Sequence, residues 1–355
     1  MKLEESLTYS DILIKPSFST IRSRNEVSLD NTFCGMTLGL PLIGSNMDSV
    51  MGETMAAALS SRGAVGALHR FQGIDENVQQ FYNSIDLSVN SVNSSKYNKK
   101  PIVSVGIGHN EYERAMTLFE AGAETILIDV AHGAAIHVVE QYDRIRSKVG
   151  KNVSIIVGNF DNHESINSFL HHIKSGQHPD AFKIGVGNGA ACTTRVVTGC
   201  GGGMISALLD CTQSKVALIA DGGVKNSGDI AKALACGASS VMVGSLIAGT
   251  DESPGEVIYN KETNTIVGKK YRGSASLESY EVQGKLSQHR TPEGESMVLP
   301  YKGSVYHILD SLSAGLKSSL SYTGSRTLEE FNKNAKIVKV SQSTFEENKA
   351  HGKTR

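Results

Sequence analysis

The residues best equipped for chemistry fall in one run, Lys183-Ile184-Gly185-Val186-Gly187-Asn188-Gly189-Ala190-Ala191-Cys192-Thr193-Thr194-Arg195. A short apolar stretch leads into glycines at alternate positions, then a cysteine beside two hydroxyls and a guanidinium. The glycines let the backbone turn tightly and aim its amides and carbonyls at a ligand. A cysteine beside a fixed positive charge is placed to ionise near neutral pH, and a thiolate is a nucleophile. Covalent catalysis by Cys192 is therefore the leading expectation. A buried cysteine closing a strand, the usual fate of the free residue, is the alternative.

The elements that position this run recur along the chain. Short apolar stretches at 42–44, 64–68, 102–105, 126–128, 154–157, 181–184, 217–220 and 240–243 are each bounded by glycine or polar turn residues. Continuous rather than alternating hydrophobicity suits parallel strands buried on both faces. Helical patterns at 53–61, 111–120 and 229–235 separate several of them, the last two followed by glycine. Eight strand–helix repeats predict a (β/α)8 TIM barrel. A doubly wound sheet is the alternative, but no GxGxxG opens the first helix.

Chemistry in such a barrel belongs at the rim where the strands end. Polar residues do follow the apolar runs: Ser45-Asn46-Met47-Asp48, His69-Arg70, Asp129 with His132-Gly133, Gly158-Asn159, the cysteine loop, Asp221-Gly222-Gly223 and Gly244-Ser245. The two glycine turns after the seventh and eighth strands sit where this fold cradles phosphate on backbone amides, so a phosphorylated substrate is expected. Two ordinary tight turns are the plainer reading.

The chain has 355 residues, 36 glycines, no tryptophan and a formal net charge of -1. Such a balance offers no electrostatic attraction for nucleic acid or an anionic membrane. No apolar run reaches membrane-spanning length, and the N-terminus carries acids where a signal peptide needs an apolar core. The five cysteines are odd in number and include no CxxC pair, so neither a disulfide framework nor a zinc site is expected. A reduced, cytoplasmic protein follows.

One domain is expected over 1–340, with a polar, frayed tail over 341–355. Segment 88–100, rich in Asn, Ser and Lys, reads as an exposed loop. Segment 250–297 follows the eighth strand, with a hairpin around 259–266, and reads as a flap over the rim. His171, His172 and His178 read as surface residues, and His109 and His137 lack partners at ligand spacing. Met47, Met51 and Met55 read as core. Cys200, Cys211 and Cys236 have no activating neighbours and read as structural.

The cysteine loop, Ile128-Asp129-Val130-Ala131-His132-Gly133, Asp221-Gly222-Gly223, Tyr271-Arg272-Gly273 and Tyr301-Lys302-Gly303 together resemble the IMP dehydrogenase/GMP reductase family. The resemblance spans roughly residues 7–340. It implies a homotetrameric barrel acting on a purine nucleoside 5′-monophosphate with a nicotinamide cofactor, through a thioimidate between Cys192 and purine C2. Dehydrogenases of the family carry a long flap with an Arg-Tyr pair that activates water. Here Gly273 and Glu293 are only 20 positions apart, without such a pair.

Arg290-Thr291-Pro292-Glu293-Gly294 resembles the reductase pattern instead. The implied reaction is NADPH-dependent reductive deamination of GMP to IMP and ammonia, with Thr194 and Glu293 handling the proton. A dehydrogenase lacking the family's regulatory module, oxidising IMP with NAD, is the alternative.

By position, the resemblance assigns nucleotide contacts to Asp221, Gly222, Gly223, Gly244, Ser245, Gly273, Ser274, Arg290 and Gly294. Cofactor contacts fall to Ser23, Arg24, Arg70, Asp129, Val130 and Ala131. The two arginines suit a 2′-phosphate and so favour NADPH. Potassium would bind carbonyls of Gly187, Gly189 and Cys192, with Arg195 nearby. The sequence departs from the family at Asn188 and Ser274 and in the run Gly199–Gly203, while His132-Gly133 leans towards the dehydrogenase branch.

Overall fold

The structure, a computed structural model, describes residues 3–90, 97, 100–282 and 291–347. Eight parallel strands close into a barrel: β1 (Leu42–Gly44), β2 (Val65–Leu68), β3 (Ile102–Val105), β4 (Thr125–Asp129), β5 (Ser154–Phe160), β6 (Ala181–Ile184), β7 (Ala217–Asp221) and β8 (Ser240–Val243). Their spatial order follows the chain, and pairing of Val241 with Leu42 closes the ring. Outside lie α1 (Glu53–Ser61), α2 (Ile74–Val89), α3 (His109–Glu120), α4 (Ile136–Val149), α5 (His163–His172), α6 (Met204–Cys211), α7 (Ser227–Ala235) and α8 (Val305–Tyr322). The chain is thus a (β/α)8 barrel, as its repeated apolar runs predict.

Side-chain alternation along the strands sets the layers inside the barrel. Leu127, Ala181 and Ile219 belong to a buried apolar cluster that also holds Ile43, Val65, Ile102, Ile156 and Met242. The hairpin Asn31–Phe33/Met36–Leu38 adds Phe33, Met36 and Leu38 to that cluster and plugs the end where the strands begin. Two residues further along the same strands stand Asp129, Lys183 and Asp221. Because side chains repeat their direction every second residue, one step turns an apolar layer into a charged one.

Several boundaries differ from the sequence reading. β5 runs on to Phe160, and α7 starts two residues early because the Asn226 side chain accepts from Asp229 N at 3.0 Å, an N-cap. The expected loop 88–100 begins inside α2, where Ser88 Oγ bonds Ser84 O at 2.6 Å; residues 91–96 and 98–99 lie outside the described residues.

The flap contains the expected hairpin, β9 (Val257–Tyr259) against β10 (Ile266–Arg272), and a third strand, β11 (Ser296–Pro300), that carries it past residue 297. In the expected frayed tail, Gln342–Glu347 is helical and lies against the 3-10 turn Tyr9–Asp11, while residues 348–355 lie outside the described part. Strand Lys336–Lys339 pairs antiparallel with Ile12–Lys15, tying the two ends of the chain together. No helix among the described residues is long and apolar enough to cross a membrane.

Candidate active site

A cavity of about 1050 Å³ opens where the barrel strands end, lined from the barrel mouth, the cysteine loop and the flap. Small-molecule sites commonly span about 300–1,000 Å³, so this cavity lies at the upper end of that range. Cys192, Thr194 and Glu293 line it together. Cys192 Sγ lies 3.1 Å from Thr194 Oγ1, which donates to Glu293 Oε2 at 2.7 Å. A thiol, a hydroxyl and a carboxylate thus form one continuous proton path.

Backbone pairing between the cysteine loop and the flap builds this path. Thr193 N donates to Glu293 O at 2.9 Å, Glu295 N to Ala191 O at 2.8 Å, and Glu293 N to Ala275 O at 3.0 Å. A Cβ on Gly294 would stand 3.1 Å from Ser276 N and 3.2 Å from Ala191 O, so a bare glycine keeps these segments close. The flap's root is clamped too: the Arg272 guanidinium grips Asp48 from Nε (3.0 and 3.1 Å) and from its terminal nitrogen (2.5 Å). At the other end of the loop, Gly185 has φ +131° and a Cβ there would lie 2.3 Å from Asp221 O.

Beneath the cysteine loop lies a charged network. Lys183 Nζ donates to Asp129 Oδ1 at 2.8 Å, to Asn159 Oδ1 at 2.5 Å and to Asp221 Oδ2. Asn46 Nδ2 reaches Asp129 Oδ2 at 2.9 Å, and Asn159 Nδ2 reaches Asp221 Oδ2 at 3.0 Å. Burial alone would raise the Asp129 pKa, but Lys183 and the Asn46 hydrogen bond outweigh it and hold the carboxyl below the usual carboxylate range. Burial alone would lower Lys183, but its two facing carboxylates hold it above the usual lysine range. Tyr271, also in the cavity wall, is pushed up to about 12 by burial and by the nearby Asp221 and Cys192.

The residues expected from sequence separate into groups. Asp221, Gly273, Ser274, Arg70, Asp129, Val130, Ala131, Gly187 and Gly189 line the cavity with the three catalytic candidates. Gly222, Gly223, Gly244, Ser245 and Gly294 are not in its lining but adjoin residues that are. A Cβ on Gly222 would meet the Asn188–Gly189 backbone at 2.8 Å, and one on Gly244 would lie 3.4 Å from Met47 Sδ and Tyr271 OH. Arg195 also sits behind the loop, bonded to the carbonyls of Val186 and Gly202. Arg290 lies outside the described residues.

Ser23 and Arg24 do not belong to the cavity. Ser23 caps the 3-10 turn Arg24–Glu26, which packs against α8, and Ser28 N bonds Arg326 O just beyond the end of that helix. A barrel helix runs against the strands, so its C-terminus lies at the plugged end. Of the two arginines expected to meet a 2′-phosphate, Arg70 is the one in the cavity lining. Its Nε is buried without a hydrogen-bond partner, while its guanidinium stacks 5.1 Å from the Phe71 ring centroid and stands 3.9 Å from Glu111. A guanidinium in that lining suits an anionic group.

Met47 and His109 line the cavity, against the expectation of a core methionine and an isolated histidine. His171, His172, His178 and His137 are exposed. Burial pushes the Cys211 and Cys236 thiols up to about 12, whereas Cys200 is exposed on its glycine loop. Asn46 and Asn159 line the cavity as the polar residues that end their strands predict, while Lys183 and Tyr271 are site residues with no role expected from sequence. A lysine inside an otherwise apolar buried strand was the available signal for Lys183.

Comparison with known proteins places this arrangement. The profile of the IMP dehydrogenase / GMP reductase domain matches residues 6–351. An inosine-5′-monophosphate dehydrogenase from Cryptosporidium parvum is 34% identical, over 98% of this chain and 95% of its own. GMP reductases from Buchnera aphidicola subsp. Schizaphis graminum and Lactobacillus delbrueckii subsp. bulgaricus are 34% and 36% identical, covering 96% and 92% of this chain and 97% and 92% of their own. Among solved structures, a GMP reductase from Trypanosoma brucei in complex with guanosine 5′-monophosphate superposes with a TM-score of 0.86 at 24% identity, covering 99% of both chains.

Proposed function

This chain belongs to the IMP dehydrogenase / GMP reductase family of oxidoreductases, and we propose that it works in the reductive direction, converting GMP and NADPH to IMP and ammonia. The path from Cys192 Sγ through Thr194 Oγ1 to Glu293 Oε2 carries the reading. Cys192 Sγ attacks purine C2 and the C2–amine bond breaks. The Cys192 thiol proton moves through Thr194 to Glu293 as Sγ attacks, then returns through Thr194 to the departing nitrogen, which leaves as ammonia. When bound, the reduced nicotinamide supplies a hydride to C2. The S–C2 bond then breaks, IMP leaves, and the thiolate regains its proton through the same relay.

A reductase must keep water from the thioimidate. The flap does so here by pairing its backbone directly onto the cysteine loop, and the 20 positions from Gly273 to Glu293 carry no Arg-Tyr pair to activate water. Asp221 accepts ribose hydroxyls, and the amides of Gly222, Gly223, Gly244 and Ser245 take the phosphate. Gly273 and Ser274, which line the cavity, face the purine, and Gly294 supports them by keeping the flap close to the cysteine loop. Arg70, Asp129, Val130 and Ala131 hold the nicotinamide cofactor, with Arg70 meeting its 2′-phosphate.

Carbonyls of Gly187, Gly189 and Cys192, with Arg195 behind the loop, would hold potassium, since an uncharged oxygen set suits a monovalent cation. A homotetramer belongs to the same proposal, with exposed Phe18 and Val196 available to bury.

Mixing the protein with GMP and NADPH tests this directly. Reduced-cofactor absorbance should fall and ammonia should appear in equal amounts. A second reading is favoured by the 34% identity to a dehydrogenase, since the same relay can deprotonate water. Turnover of IMP with NAD, without consumption of GMP, would establish it instead.

A further inference from the structure

Lys183 is the buried charge that the chemistry above leaves without a task. Its side chain is 3% exposed, and it stands two residues before the cysteine loop begins. Gly158 makes room for its stem: a Cβ there would lie 2.5 Å from Lys183 Cβ. A buried ammonium is costly unless fully paired, and this one is paired with carboxylates from two different strands.

We propose that Lys183 is a positioning residue that couples the two ligand subsites, holding Asp221 on the nucleotide side and Asp129 on the cofactor side as one hydrogen-bonded unit. This rests on the nucleotide reading given above.

The groups that face this unit define its charge. Lys183 comes from β6, Asp129 from β4, Asp221 from β7 and Asn159 from β5; Asn46, after β1, completes Asp129. Arg70 acts on Asp129 from after β2, and Tyr271 of the flap faces Asp221. Among the described residues, Lys183 is the cation with ion pairs to both carboxylates. Without it, two partly buried like charges remain, and one carboxyl keeps its proton towards neutral pH. A protonated carboxyl no longer accepts two hydroxyls. Ordering one carboxylate with a ligand fixes the ammonium, and the ammonium fixes the other carboxylate.

Calorimetric titration of GMP and of IMP, with and without NADP+, tests this from about pH 5.5 to about pH 9 for the wild type, Lys183→Met and Lys183→Arg. In Lys183→Met, nucleotide affinity should fall about tenfold per pH unit below the raised carboxyl pKa and recover in alkali. The change in GMP affinity caused by NADP+ should collapse towards none. Lys183→Arg should restore both behaviours, which a merely structural lysine would not require.

Should Lys183→Met not fold, Lys183→Gln, which keeps a donor but no charge, carries the same two expectations. Wild-type affinity at every pH in the neutral variant overturns the positioning role, as does a wild type in which NADP+ leaves GMP affinity unchanged. A wild type that binds neither GMP nor IMP overturns the nucleotide reading, and this proposal with it.

Discussion

The two ends of the barrel use the same strands for opposite purposes. At the plugged end, Leu127, Ala181 and Ile219 pack with Phe33, Met36 and Leu38 in an apolar layer. At the open end, two residues on, Asp129, Lys183 and Asp221 share hydrogen bonds under a cavity. The plug gains its free energy from burial, which is insensitive to small shifts in direction. The open end depends on hydrogen bonds and ion pairs, which are directional and leave costly unpaired groups when disturbed. Stability and chemistry are therefore separable along a single strand.

If that separation is right, substitutions at the two ends should fail in different assays. The largest effect belongs to Cys192→Ser, which removes the nucleophile from the open end. Turnover should drop by at least about a thousandfold while nucleotide binding and melting temperature stay near wild type. Cys200→Ser, on the exposed glycine loop, should leave both rate and stability nearly unchanged. Comparable loss in the two serine variants would mean that the cavity cysteine has no special role.

Next in size is Leu127→Ala at the plugged end. Its side chain is fully buried, so denaturant unfolding should show a loss of about 2–5 kcal/mol. Below the melting transition, kcat/KM should remain within a few-fold of wild type. A proportionate fall in kcat/KM would show that the plug and the mouth are one mechanical unit.

The smallest expected effect concerns His69, where β2 reaches the rim. Burial pushes its pKa down to about 4, with Asp48 opposing and Arg114 and Arg272 adding to the shift, and its Nδ1 accepts from Phe71 N at 3.2 Å. The unfolded chain, with histidine near its ordinary pKa of about 6.5, binds the proton first. Stability should therefore fall as pH drops from about 6.5 towards about 4, by a few kcal/mol at most, and change no further from this source below that. Unfolding curves across that window should flatten in His69→Gln. An equal slope in both proteins would remove His69 from the pH response.

Much of the barrel is legible in the sequence because its signals are local. The runs at 42–44, 102–105, 181–184 and 240–243 coincide with strands, since short, mainly apolar runs between turn-formers have few ways to be buried except in a parallel sheet. Helix α7 begins before its apolar pattern because a capping asparagine, not hydrophobicity, sets its start. Strand β11 escaped notice because its burial alternates over a half-exposed flap and its partner lies far back in the chain.

Arg24 illustrates the converse. Its residue type suits a phosphate, yet the turn that carries it packs against α8, away from the cavity. His109 reaches the cavity although nothing beside it in the chain suggests it, and Met47 does so from the rim run 45–48 although its residue type reads as core.

The sequence alone determined the repeat of strands and helices, the glycine-spaced cysteine loop and the polar residues that end each strand, because each depends on neighbours a few positions apart. Only the tertiary structure decided that Glu293 meets Thr194 across 99 positions and that Lys183 joins Asp129 to Asp221. The first follows from backbone pairing between the flap and the cysteine loop, the second from barrel closure and the two-residue alternation of side chains, which fix which inward-facing groups share a level. No local pattern encodes that geometry.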